Sequence, residues 1–210
     1  MRLPAAQCRM LLAIAIGSGL SGWGALYPQN TWLQVGPVLL GLPAAAWALR
    51  RWPISNRAAG MVATFILLHL VAACWSYSFT PYEAWGRALT GISIDATFGF
   101  RRNMFDRLVH LGFGLLMVLP VTEIAMRHGG LSRRAALLLA VLGVFAVSSL
   151  YEIFEWLLTM GLAPADAGAY NGEQGDMYDS QKDMACANLG ALIALPWARG
   201  ILARREWSKA

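Results

Sequence analysis

Apolar residues along this chain gather into long blocks, separated by shorter stretches that carry most of the charge. Six blocks stand out, at about 10–27, 32–49, 58–77, 105–127, 135–158 and 183–202. At 1.5 Å of rise per residue, helices of this length cross roughly 30 Å of hydrocarbon. Strands fit poorly, because a sheet in lipid must close into a barrel and the polar–apolar alternation it needs is missing. The pattern predicts an all-α, polytopic membrane protein: one integral membrane domain over residues 1–210 with six transmembrane helices.

Composition points the same way. The chain is 57% hydrophobic and 14% charged, too little polar surface to cover a soluble domain of this size. The sixth block follows "GDMYDSQKDM", a run of acids at the edge of a segment apolar enough for lipid. Basic residues set the orientation. Twelve of the 17 Lys and Arg precede block one, follow block six, or lie between blocks two and three or four and five. Arg87, Arg101, Arg102, Arg107 and Lys182 fall on the other side. The positive-inside bias therefore places both termini in the cytoplasm. The basic pI comes from this asymmetry, so no nucleic-acid partner is implied, and nothing calls for a nucleotide cofactor. The first block begins like a signal peptide but ends without a small-x-small cleavage site, and is expected to remain as an anchor. Cys8, Cys74 and Cys186 form no CxxC pair and suggest small apolar fillers rather than a disulfide framework.

The ionisable residues inside the blocks carry the candidate chemistry. "FDRLVHLGFG" puts Asp106 and His110 four residues apart on one face, at the outer end of the fourth block. "SSLYEIFEWLL" puts Glu152 and Glu155 about 25–30 Å along the fifth, close to the same boundary. "DMYDSQKDM" sets Asp176, Asp179 and Asp183 on one face if helical, with Glu173 and Asp166 upstream. Three helices thus bring acids to one depth, although each buried ion costs several kcal/mol, on the order of 3 for Asp at a helix centre. Three explanations stay open: a metal site, an ion or proton pathway, and a structural ion-pair network. Asp176 and Asp179 also suit the start of a helix. Glu152 and Glu155 do not, because they sit late in a helix where the macrodipole disfavours anions. His69 is a further candidate ligand or a histidine hydrogen-bonded across helices. Glu123 pairs with Arg127 at i+4 and reads as structural; His128 reads as a surface loop residue.

"RRNMFDRLVHLGFGLL", "SSLYEIFEW" and "GDMYDSQKDM", with "LHLVAACWSYSFTPYEAW" upstream, resemble in order the signature blocks of the YjdF-like bacterial inner-membrane proteins, a family of unknown function. The resemblance spans roughly residues 60 to 195. Position by position it singles out His69, Asp106, Arg107, His110, Glu123, Glu152, Glu155, Gly175, Asp176, Asp179, Gln181, Lys182 and Asp183. It implies a multi-pass protein of the bacterial inner membrane and supplies no reaction. A looser likeness to VanZ-like membrane proteins lies in the Asp-Arg-x-x-His start and "DMACANLGALI".

Function has to be read from the site. One expectation is a metal-dependent hydrolase or transferase. Asp106, His110, Glu152, Glu155, Asp179 and Asp183, with His69 as an added candidate, would hold a divalent metal whose identity is open. Glu152, Glu155 and Asp176 are the candidate catalytic carboxylates, one of them acting as general base off the metal. Arg107, Lys182 and Gln181 would bind substrate, with Arg102 as an additional cation; a lipid or isoprenoid carrier fits this depth. The alternatives are an ion- or proton-coupled transporter, or an accessory membrane protein whose acids only pin helices together. The 79–104 connection carries Trp85, Leu89, Ile92, Ile94 and Phe98 and is expected to lie partly in the interface, as a lid or an amphipathic helix. Oligomeric state is left open.

Overall fold

The computed structural model describes residues 2–161 and 173–203. Asp166, Arg204, Arg205 and Lys209 lie outside the described residues. Among those described there is no strand. The helices are α1 (Ala5–Trp23), α2 (Pro28–Arg51), α3 (Asn56–Cys74), α4 (Tyr82–Thr90), α5 (Ile94–Phe98), α6 (Phe105–Arg127), α7 (Arg133–Gly161) and α8 (Asp179–Ala203). Five of them, α2, α3, α6, α7 and α8, are long and apolar enough to cross a membrane. α1 corresponds to the first block but is shorter on apolar residues, carrying Gln7 and Arg9 in its opening turns.

Two three-helix groups meet along α3 and α6. In the first, Ile14 of α1, Val35 of α2 and Leu70 of α3 share a core. Hydroxyls tie it across helices: Ser21 Oγ donates to Leu70 O and Thr31 Oγ1 to Ala73 O, each at 2.9 Å. Apolar packing between helices gains little over packing on lipid tails, so such bonds and close backbone contact carry much of the cohesion. The second group packs Val118 and Leu119 of α6, Val144 of α7 and a stripe of small residues on α8, Ala187, Ala191, Ala194 and Ala198. Gly114 and Gly190 bring α6 and α8 into backbone contact; a Cβ on Gly114 would overlap the Ala187 carbonyl, and one on Gly190 that of Leu111. Only glycine permits this approach.

One end of the bundle is basic, the other acidic. Arg50, Arg51, Arg57 and Arg127 gather at the first, where α2 and α6 end and α3 begins. There Glu123, fully buried, is completely engaged. It accepts from Ser55 N at 2.6 Å and Ser55 Oγ at 2.7 Å, and lies 3.0 Å from Arg127 Nε. The expected Glu123–Arg127 pair is therefore present, joined to the N-cap residue of α3. His128 is exposed, as a loop residue should be, with Nε2 3.0 Å from Pro53 O.

At the acidic end, the 79–104 connection contains α4 and α5 rather than an irregular loop. Arg87 Nε donates to Glu83 Oε1 at 2.6 Å, and Tyr82 Oη donates to Asp95 Oδ1 at 2.6 Å. Leu89, Ile92 and Phe98 stay exposed, the outward apolar surface expected of an interfacial segment.

Candidate functional site

The acids converge as their helical spacing predicts. α6 brings Asp106 and His110 from its first turns, α7 brings Glu152 and Glu155 from its last ones, and α8 brings Asp179 and Asp183 from its start. Asp106, Glu152, Asp179 and Asp183 are all buried. Asp176 sits in the turn before α8, so it is not on that helix's face. Its Oδ1 accepts from Tyr178 N at 3.1 Å, and its carboxylate accepts from Lys182 Nζ at 2.6 and 2.8 Å. The Lys182 ammonium holds the Asp176 carboxyl below the usual carboxylate range.

Two arginines organise half of the cluster. The Arg107 guanidinium, itself buried, lies 2.5 Å from Asp179 Oδ1 through Nη2 and 2.5 Å from Asp183 Oδ1 through Nη1. Its Nη1 also donates to the Asp179 carbonyl at 2.8 Å. Arg102 bridges Asp106 Oδ2 at 2.6 Å and Asp179 Oδ1 at 2.7 Å. A planar guanidinium suits this role because its fork serves several oxygens at once. Asp106 and Asp179 are thus neutralised by protein cations, and Arg107 and Arg102 are engaged with carboxylates rather than presented to a ligand. Their pairing was legible only as nearness in charge, since Arg102 and Asp179 lie far apart in the chain.

The other half is less satisfied. His110 Nε2 lies 3.7 Å from Glu152 Oε1 and 3.9 Å from Asp183 Oδ1, too long for hydrogen bonds. Glu152 is 6% exposed, and its Oε1 has no hydrogen-bond partner. The ligand-capable atoms of His110, Glu152 and Asp183 lie within 4.8 Å of one another, as do those of Asp106, Asp179 and Asp183.

A cavity of about 430 Å³ opens beside this group, between α2, α3, α6 and α7. Asp106, His110, Glu155 and Asp183 border it at one end. Its remaining wall is mainly apolar, with Val38, Phe65, Phe113 and Phe154. Gln34 and Ser148 also face it; both are buried, and Gln34 Oε1 and Ser148 Oγ have no hydrogen-bond partner. The sequence reading missed these two. Ser148 lies one turn before Glu152 on the same face of α7, and that spacing was the available signal. His69 lines the cavity as well, but its ring is engaged by Tyr77 Oη and, at 3.4 Å, by Gln34 O. It joins neither metal-capable group. Gln181 is exposed on α8, Tyr178 and Trp156 are exposed, and Trp85 packs edge-on against Trp75 at 5.3 Å.

The family model described as "Predicted membrane protein (DUF2238)" matches residues 6–204. The chain belongs to the DUF2238 family. The likeness read from three sequence blocks therefore extends along nearly the whole chain. A relative, "Inner membrane protein YjdF" of Escherichia coli (strain K12), is 31% identical over 187 residues, covering 88% of this chain and 83% of its own. No solved structure matches the chain.

Proposed function

We propose that this chain binds a divalent metal ion through His110, Glu152 and Asp183, and acts on the polar head of a lipid seated in the adjoining cavity. The observation that carries it is Glu152 Oε1, buried and unpaired, 3.7 Å from the His110 imidazole and within 4.8 Å of a second carboxylate, that of Asp183. Buried polar atoms are nearly always satisfied, so an unpaired carboxylate oxygen points to a ligand. One nitrogen with two carboxylates suits Zn²⁺, Mn²⁺ or iron. Such an ion would supply Lewis-acid activation of water or of a phosphoryl or carbonyl oxygen. Glu155, bordering the cavity beside His110, is placed to take a proton as general base. The cavity's apolar wall would hold a chain while its acidic end meets the head.

The same reading takes α1 as a sixth span, with both termini cytoplasmic and the acidic end facing out of an inner membrane. Leu12, Ile16 and Leu20 form an exposed apolar face on α1, as a lipid-facing helix requires. The concentration of Arg50, Arg51, Arg57 and Arg127 at the opposite end accords with the positive-inside bias.

A second reading has its own support. Arg102 and Arg107 already neutralise Asp106 and Asp179, which is what an ion-pair network pinning α6 to α8 would look like. Elemental analysis of purified wild-type and Glu152→Gln protein separates the two. Stoichiometric metal in the first and its loss in the second, with folding retained, is the expected result. No metal in wild type after reconstitution, with unchanged melting on chelation, leaves only the structural network.

A further inference from the structure

We propose that the lipid is a single long isoprenoid chain, threaded along α2 from the acidic end past the middle of the membrane. This rests on the lipid half of the function proposed above. A second cavity of about 490 Å³ lies between α1, α2 and α3 and extends toward the basic end as far as Ala48, Leu49 and Ile54. Both cavities are bordered by Pro37, Val38 and Ile66, so they adjoin end to end along α2 rather than side by side. That arrangement suits one chain and not the paired tails of a glycerophospholipid.

Length sharpens the class. From Gln34, in the first cavity, to Leu49, in the second, α2 rises about 22 Å at 1.5 Å per residue. One leaflet of hydrocarbon is about 15 Å deep, half of the core. Measured from Gln34, a tail matched to one leaflet would pass the join but stop short of Leu49, whereas a polyprenyl chain would fill the second cavity to its inner end. That inner cavity is apolar throughout except for Gln7, whose Nε2 donates to Ile54 O at 2.9 Å and whose buried Oε1 has no hydrogen-bond partner. α2 is also the least buried of the five helices long and apolar enough to cross a membrane, so the groove lies behind the most exposed wall of the bundle. The chain enters sideways and its head comes to rest by His110, Glu155 and Asp183.

Gly41 offers a clean test. It borders the inner cavity, and a Cβ built there meets no atom within 4 Å. Gly41→Trp adds an indole at the border of the groove where the first added atom meets no neighbour, and Gly41→Leu is a milder second variant. Purified full-length protein is offered farnesol, solanesol and a diacyl phosphatidylethanolamine in competition, and retained lipid is read by native mass spectrometry. Wild type should retain solanesol over the other two by about tenfold, and Gly41→Trp should lose that preference. Equal retention of the two alcohols by wild type, preference for the diacyl lipid, or a Gly41→Trp protein that still prefers solanesol would overturn the proposal. Retention of no lipid at all sinks the lipid reading itself. Metal content, measured on the same samples, reports separately on the metal half.

Discussion

Glu123 and Glu152 are both buried carboxylates on membrane-spanning helices, at opposite ends of one bundle. Around Glu123 every need is met from within the protein: a backbone N–H, a hydroxyl and a guanidinium all reach it. Around Glu152 the His110 imidazole stands off at 3.7 Å, and one oxygen has no hydrogen-bond partner, Ser180 alone supplying a hydrogen bond to the side chain. The same residue type is therefore a fastening at one end and an opening at the other. Burial alone does not distinguish them; the inventory of partners does.

The comparison can be broken by substitution. Glu123→Ala should have the largest effect on stability, about 3–5 kcal/mol, because it strips the ion pair to Arg127 and both hydrogen bonds from Ser55, the residue that caps α3. A shift in thermal unfolding in detergent measures it, and metal content should not change. Arg107→Met should cost less, about 2–3 kcal/mol, since Arg102 still reaches Asp106 and Asp179 while the methionine keeps the stem's packing. Glu152→Gln should change stability by under about 1 kcal/mol, because no strong partner is lost. A destabilisation as large as that of Glu123→Ala would place Glu152 in the same class and remove the contrast.

The smallest effect is expected at Glu83, where hydrogen bonds, first from Ser93 and then from Asp95 N, hold the carboxyl down to about 2 from an ordinary 4.5. A depressed carboxylate stabilises its surroundings above its ordinary value and loses that contribution as pH falls toward the lowered one. Amide exchange across 82–98 should therefore be faster in Glu83→Gln than in wild type at neutral pH, with the difference fading near pH 2.

Helix placement was the readable part of the fold. The block at 105–127 coincides with α6, and the others begin or end within a few residues of α2, α3, α7 and α8, because lipid makes apolar length a strong signal. The meeting of Asp106, His110, Glu152, Asp179 and Asp183 was legible as well, since topology fixes depth and helical spacing fixes face. What could not be read was the division of labour. Asp176 shares the spacing of Asp179 and Asp183, yet α8 begins at Asp179 and leaves it in a turn with Lys182. Whether Arg107 would serve a ligand or three acids depended on side-chain reach between distant segments, which spacing does not encode. The cavity escaped notice for the same reason, because its walls come from helices of both three-helix groups.

The Gly114–Gly190 contact has a consequence for how the site can fail. With two main chains touching, α6 and α8 behave like toothed racks: they mesh at one offset, and the next tooth lies about 5.4 Å away. A slip of that size would carry Asp179 and Asp183 clear of Arg102, Arg107 and His110 together. The polar end is thus assembled whole or lost whole, and its integrity is governed halfway down the membrane by two residues that have no side chain.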